Sequence, residues 1–148
     1  MKIFIFWSRW ITLSDECKSY ILSKAQDNNL FIIWDSIWID NEVQIFLNSI
    51  WFKNVEIYHI WKLPRNNAWS RKSIEISEES SKKYGWRIGW KWVYINKDIA
   101  MCNDCDEAIA IWDWVSQGTM RNIKNLNKIW KPIKVFSCGV AFKEVSLF

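Results

Sequence analysis

The chain has 148 residues, a formal net charge of +4, 13 tryptophans and only four glycines. That length suits one domain, residues 1–148, with a normal core, and no apolar run reaches the ~18 residues of a membrane span. The charge suits an anionic small ligand and is too weak to argue for nucleic acid by itself.

Strand and helix patterns alternate along the chain. Lys2–Phe6 is a β-type apolar run. The opening "MKIFIFWSRW" is broken by Arg9 and lacks a small-residue cleavage site, so it reads as a first strand and not a signal peptide. Ser14–Gln26 has helical character, with Ser14 or Asp15 as the N-cap. Leu30–Ile33 reads as a second strand, and Asn41–Ile50 places Val43, Ile45, Phe46 and Ile50 on roughly one helical face. Val55–His59 is a third strand, and residues 60–94 read as irregular, polar and charged. Lys97–Asp104 reads as a short helix, Ala108–Ile111 as a fourth strand, Thr119–Lys128 as a helix and Ile133–Phe136 as a fifth strand. Pro132 fits a strand start, and the tail from Ser137 is expected to add a short strand.

This alternation predicts an α/β protein. Its form is a Rossmann-like three-layer sandwich with a mainly parallel sheet of five or more strands, strand one central and right-handed crossovers. Ligands in such sheets bind beyond the carboxyl ends of the strands, at the topological switch point. The turns of interest therefore follow strands one, two and four. They read Trp7-Ser8-Arg9, Trp34-Asp35-Ser36-Ile37-Trp38-Ile39-Asp40 and Trp112-Asp113-Trp114-Val115-Ser116-Gln117-Gly118-Thr119.

Four cysteines without a secretory signal point to reduced thiols and a cytoplasmic protein. Cys102 and Cys105 have CxxC spacing, but Cys17 and Cys138 are isolated and His59 is the only histidine. The pair is expected to be two small semi-buried residues at a helix end. Neither a metal nor a cofactor is called for.

The tryptophans are the anomaly. About ten glycines would be expected in a chain of this length. Trp34, Trp38, Trp61, Trp69, Trp114 and Trp130 fall in or beside turns, and Trp86, Trp90 and Trp92 crowd one short stretch. Turns that need positive φ or close backbone approach use glycine, and an indole creates the clash glycine avoids. Lysine outnumbers arginine, and isoleucine and asparagine are abundant, as in an AT-rich gene. Some bacterial lineages read UGA as glycine. The expectation is that most tryptophans here are UGA codons which the organism reads as glycine. The plain alternative is a genuinely tryptophan-rich protein.

With Trp7, Trp34, Trp38 and Trp114 read as glycine, the three turns become GSR, GDxxGxD and WDGxSxGT. With "YINKDIAM" at 94–101 and Pro64-Arg65-Asn66 in the long loop, the chain resembles the SLOG superfamily. That Rossmann-like group includes DNA-processing protein A and the LONELY GUY enzymes, and the nearest branch is the YspA, cpYpsA-related one. The resemblance covers about residues 2–136, and that branch keeps a tryptophan where Trp112 stands. It implies a nucleotide or nucleotide-derived ligand, bound by a sensor or effector component.

The residue chemistry agrees with that implication. Gly118-Thr119 would open a helix whose free N–H groups attract phosphate, with Ser116 and Thr119 adding hydroxyls. Arg9 suits a bidentate phosphate contact, with a surface ion pair as its other reading. Asp35, Asp40 and Asp113 could accept from ribose hydroxyls or a base edge, and Asp40 could equally be a helix N-cap. Lys97 and Asp98 either face the ligand or simply start a helix. The candidate ligand-binding set is therefore Trp7, Ser8, Arg9, Trp34, Asp35, Trp38, Asp40, Lys97, Asp98, Trp112, Asp113, Trp114, Ser116, Gly118 and Thr119.

Two other functions compete. One is a nucleotide-processing glycosidic-bond hydrolase or transferase, with Asp35 or Asp113 as the catalytic carboxylate. The phosphoribohydrolase branch carries its glutamate where this chain has Asn122, and an amide cannot exchange protons as a carboxylate does. The other takes the tryptophans literally: "KKYGWRIGWKW" interleaves basic and aromatic residues like a single-strand nucleic-acid binder or an interfacial membrane segment. Recoding would remove three of its aromatics. A small-molecule partner is thus expected, without membrane or nucleic acid, and self-association is left open.

Overall fold

The computed structural model describes residues 1–9, 11–35, 42–60, 62–67, 71–76 and 90–137, with side chains in the last segment from residue 94 onward. Trp38 and Asp40 lie outside the described residues, as do Trp61, Trp69, Trp86, Cys138 and the tail beyond Ser137. The elements in chain order are β1 (Lys2–Trp7), α1 (Asp15–Gln26), β2 (Leu30–Trp34), α2 (Glu42–Ser49), β3 (Val55–His59), β4 (Lys72–Glu75), α3 (Trp90–Asp104), β5 (Glu107–Trp112), α4 (Gln117–Lys128) and β6 (Ile133–Ser137).

The strands form one parallel sheet in the order β4-β3-β2-β1-β5-β6. From β1 the chain steps outward to β4 and then returns to lay β5 on the other side of β1. Strand β1 is therefore central, and its carboxyl end next to that of β5 is the switch point. Period-two alternation assigns the side chains to two cores. Ile3, Ile5, Phe31, Ile33, Ile57, Ile109 and Ile111 pack with Cys17, Ile21 and Ala25 of α1 and with Val43 and Leu47 of α2. Phe4, Phe6, Ile32, Ala108 and Ala110 face the other way, onto Met101 and Cys102 of α3 and Ile123 and Leu126 of α4. Both faces of the sheet are thus covered, which is why the strands read as unbroken apolar runs. Among the described residues, no helix is long and apolar enough to cross a membrane.

Two expectations need correction. The stretch read as irregular, 60–94, contains β4 and the first turn of α3. Strand β4 lies at the sheet edge with Lys72, Ser73 and Glu75 exposed, so it carries no apolar run to betray it. Helix α3 starts at Trp90 and not at Lys97. Its opening "WKWVYI" is rich in residues that favour strands, and tertiary packing overrides that preference. The Ser14 cap is as expected: its side chain accepts from the Cys17 N–H at 3.1 Å.

Cys102 and Cys105 are both buried against α4 and the sheet. Burial pushes both thiols up, with each other's charge adding to the effect at Cys102, and Cys105 rises to about 11. They stay protonated near neutral pH and act as core residues. Among the described residues no cluster of potential metal ligands forms.

The helix ends carry a further signal. Four described non-glycine residues have positive φ: Asn28 (54°), Trp51 (55°), Trp114 (65°) and Trp130 (59°). After α2, Trp51 N–H donates to Asn48 O at 2.9 Å and Phe52 N–H to Leu47 O at 3.0 Å. After α4, Trp130 N–H donates to Asn127 O at 3.2 Å and Lys131 N–H to Leu126 O at 3.1 Å. Each pair of bonds is a Schellman motif with tryptophan at its left-handed residue, where glycine is the usual occupant and asparagine the common second choice. Helix α1 uses that second choice, Asn28, whose N–H donates to Ala25 O at 3.0 Å. Trp51 and Trp130 are 84% and 80% exposed, so neither indole offsets its backbone strain by burial.

Candidate functional site

The carboxyl ends of β1 and β2, with α3 and α4 above them, enclose an open cleft of about 700 Å³. Trp7, Ser8 and Arg9 enter it from the end of β1 and Trp34 from the end of β2. Arg65 comes from the loop after β3, Lys97 and Asp98 from α3, and Ser116, Gly118, Thr119 and Arg121 from the start of α4. Four cationic side chains, Arg9, Arg65, Lys97 and Arg121, line it against one carboxylate, Asp98. An anion is therefore the complementary ligand.

The turn between β5 and α4 is built around Asp113. Its carboxylate accepts from the N–H groups of Val115 (2.9 Å) and Ser116 (2.7 Å) and from the hydroxyls of Ser116 (2.7 Å) and Ser8 (3.0 Å). Ser8 Oγ in turn accepts from the Asp113 N–H at 3.0 Å and lies 3.2 Å from the Thr119 hydroxyl. The Ser8 N–H donates to Ile111 O at 2.8 Å, so this network fastens β1 to β5 at the switch point. Burial pushes the Asp113 carboxyl up, but the hydrogen bonds from Ser116, Val115 and Ser8 outweigh it and hold it down, at about 2 from an ordinary 3.8.

A carboxyl held that low donates no proton near neutral pH. Its contribution to stability is complete above its unfolded value, about 4, and is lost as pH falls through about 2. Asp113→Ala is expected to cost roughly 1–2 kcal/mol at pH 7, the scale of a lost cap. Urea unfolding at pH 7 and pH 2.5 checks this, and the gap between the two proteins should narrow at the lower pH. An unchanged gap would mean the network contributes nothing through ionisation.

Helix α4 begins differently from α1. The side chain of Ser116, its N-cap, makes no capping bond, and its first turn carries no acidic residue. The first turn of α1 has both a side-chain cap and two acids, Asp15 and Glu16. Asp113 holds the N–H of Ser116, and the first-turn residues Gln117, Gly118 and Thr119 open into the cleft without a cap from the Ser116 side chain. A Cβ added at Gly118 would meet Arg121 Nη2 at 3.8 Å, so the guanidinium lies beside that opening turn.

Asp35 is fully buried at the end of β2. It accepts from the Arg65 backbone N–H (2.7 Å), Nε (3.3 Å) and Nη2 (3.0 Å). Asp98, also buried, pairs with Lys97 Nζ at 2.7 Å and Arg121 Nε at 3.3 Å. Trp34 meets a cation of each group: Lys97 Nζ is 4.2 Å and Arg65 Cζ 5.3 Å from its ring centroid.

Of the sequence-expected residues, Trp7, Ser8, Arg9, Trp34, Lys97, Asp98, Ser116, Gly118 and Thr119 line the cleft. Asp35, Trp112, Asp113 and Trp114 are not among the residues lining it. Asp35 accepts from Arg65, and Asp113 accepts from Val115, Ser116 and Ser8. Trp114 stacks on Trp112 with centroids 4.4 Å apart, outside the cleft it was expected to crowd. Asn122 is buried and lines the cleft. Arg121 and Tyr94 were missed, and Arg65 was noticed only as part of a loop motif. Arg121 lies three residues after Gly118, one helical turn on, which is the signal that could have found it.

No family model matches the chain, and no curated protein or solved structure proves similar to it.

Proposed function

We propose that the cleft binds a nucleotide or nucleotide-derived ligand, as a sensor or effector component, and that glycine occupies most of the tryptophan positions in the working protein. The observation that carries the first half is convergence. The uncapped start of α4 and the side chains of Arg9, Lys97 and Arg121 line one cleft at the switch point of a parallel sheet. The second half is supported by Trp51, Trp114 and Trp130, which take the left-handed conformation that glycine adopts freely. Trp7 and Trp34 occupy cleft space that a phosphate and ribose would need.

The test has two arms. Peptide masses from the native organism should show glycine at 7, 34, 38 and 114 and tryptophan at 112, and tryptophan throughout would overturn the recoding. For binding, calorimetry on a protein with Trp→Gly at 7, 34, 38 and 114 should detect nucleoside phosphates, cyclic nucleotides or ADP-ribose that the literal chain binds poorly. Arg9→Ala in that protein should then weaken binding by ~1.5–3 kcal/mol, the scale of a charge-assisted hydrogen bond. No binding to any of them, or an unchanged affinity without Arg9, would remove this cleft as the site.

A further inference from the structure

Among the described residues one carboxylate lines the cleft, Asp98 of α3, and it stands among the cations. Its side chain is 5% exposed, with Oδ1 2.7 Å from Lys97 Nζ and Oδ2 3.3 Å from Arg121 Nε. Oδ1 accepts no hydrogen bond among the described residues. A buried carboxylate repays its desolvation only when its partners surround it with good hydrogen bonds. Asp98 falls short of that, so anchoring two cations is a poor account of why a negative charge lies in an anion cleft. Arg121 connects it to the start of α4. The Nε of Arg121 faces Asp98, and its Nη2 lies 3.8 Å from where a Gly118 Cβ would stand. One guanidinium thus meets the carboxylate on one edge and the opening turn of α4 on another. An anion seated at that turn lies within roughly 8 Å of Asp98, about one Debye length at physiological salt.

We propose that Asp98 is a specificity-determining residue, which limits the negative charge a ligand can bring to the start of α4. The inference rests on the reading of this cleft as an anion site and deepens it. Lys97 and Arg121 alone would present two positive charges, and with Asp98 between them the three carry one. Each further negative charge on the ligand is drawn by the cations and repelled by the carboxylate. At an effective dielectric of about 20 and a separation near the Debye length, that repulsion changes binding on the order of tenfold per unit charge. The cleft should therefore favour an anionic end of low charge, such as one phosphate group, over a pyrophosphate or a longer chain. Asparagine at 98 would keep the shape of the side chain and remove the repulsion, whereas glutamate would keep the charge.

The experiment uses the full chain with Trp→Gly at 7, 34, 38 and 114, and the same protein carrying Asp98→Asn or Asp98→Glu. Calorimetry at one fixed ionic strength compares orthophosphate, pyrophosphate and tripolyphosphate. These probes carry no sugar or base, so the outcome does not turn on the ligand being a nucleotide. The four-glycine protein should bind the two longer anions no more tightly than orthophosphate, although a basic cleft without a carboxylate draws the more charged anion more strongly. Asp98→Asn should raise the affinity for pyrophosphate relative to orthophosphate about tenfold, and Asp98→Glu should keep the original order. The ratio is the readout, because a general loosening of Lys97 and Arg121 would weaken all three anions together and leave it unchanged. Affinity climbing with anion charge while Asp98 is present would overturn the proposal whether or not Asp98→Asn folds. An unchanged ratio in Asp98→Asn would overturn it too, and in both cases the anion site stands. Failure of all three anions to bind the four-glycine protein would remove the anion site and the charge limit with it.

Discussion

Arg65→Ala is expected to destabilise the fold by about 3 kcal/mol, the low end of the cost of stripping a partner from a buried charge. Asp35 has no exposed surface, and Arg65 supplies three of its hydrogen bonds, one from the backbone and two from the side chain. Truncation removes the two side-chain bonds and the positive charge paired with that carboxylate. The backbone N–H at 2.7 Å remains, which is why the cost falls at the low end. For a chain of this size the melting temperature should fall by roughly 6–12 °C. Arg65→Lys should recover only part of this, because an ammonium cannot reproduce a forked contact with both carboxylate oxygens. Urea unfolding decides: a loss under ~0.5 kcal/mol, within the range of an ordinary surface change, would show that Asp35 is solvated through the cleft without Arg65.

The second large effect has the opposite sign. Trp51→Gly and Trp130→Gly should each stabilise the protein by about 1 kcal/mol, and together by about 2 kcal/mol. A side chain in the left-handed region costs roughly 1–2 kcal/mol, and part of the gain is returned because glycine is freer in the unfolded chain. Little burial is lost, because both indoles are at least 80% exposed. The two sites follow α2 and α4, on opposite faces of the sheet, so their effects should add. Alanine is the control: it removes the indole and keeps the Cβ, so Trp51→Ala and Trp130→Ala should bring no such gain. If alanine stabilised as much as glycine, the strain would lie in the indole and not in the backbone. Trp114→Gly should gain less, because Trp114 stacks on Trp112.

The sheet was legible because its strands are buried on both faces and so read as short apolar runs between polar turns. The same logic hid β4, whose edge position leaves it polar. The start of α3 was hidden by aromatic and β-branched residues that lean toward strands. Strand one is central as expected, and the switch point lies beside it. The roles of Asp35 and Asp113 were not readable, because a carboxylate beside a turn looks the same whether it faces a ligand or binds its own backbone. Only the positions of Arg65, Val115 and Ser116 distinguish the two. The Schellman ends were implicit in a tryptophan following α2 and α4, but a left-handed residue is recognised from sequence by glycine, the residue missing at both ends.

The central place of β1 bears on how the protein is made. Its pairing with β2 joins Ile3 to Phe31, but its pairing with β5 joins Ile3 to Glu107. A ribosome adding roughly 5–20 residues per second needs about 4–15 s between those two events. Throughout that interval Lys2–Trp7 keeps one row of backbone donors and acceptors unmatched. Emerging chains on one message therefore offer each other identical, apolar, open edges during that interval. Yield should respond to whatever shields that edge, so a slower elongation rate is expected to increase aggregation, whereas holdase chaperones acting on the nascent chain should reduce it.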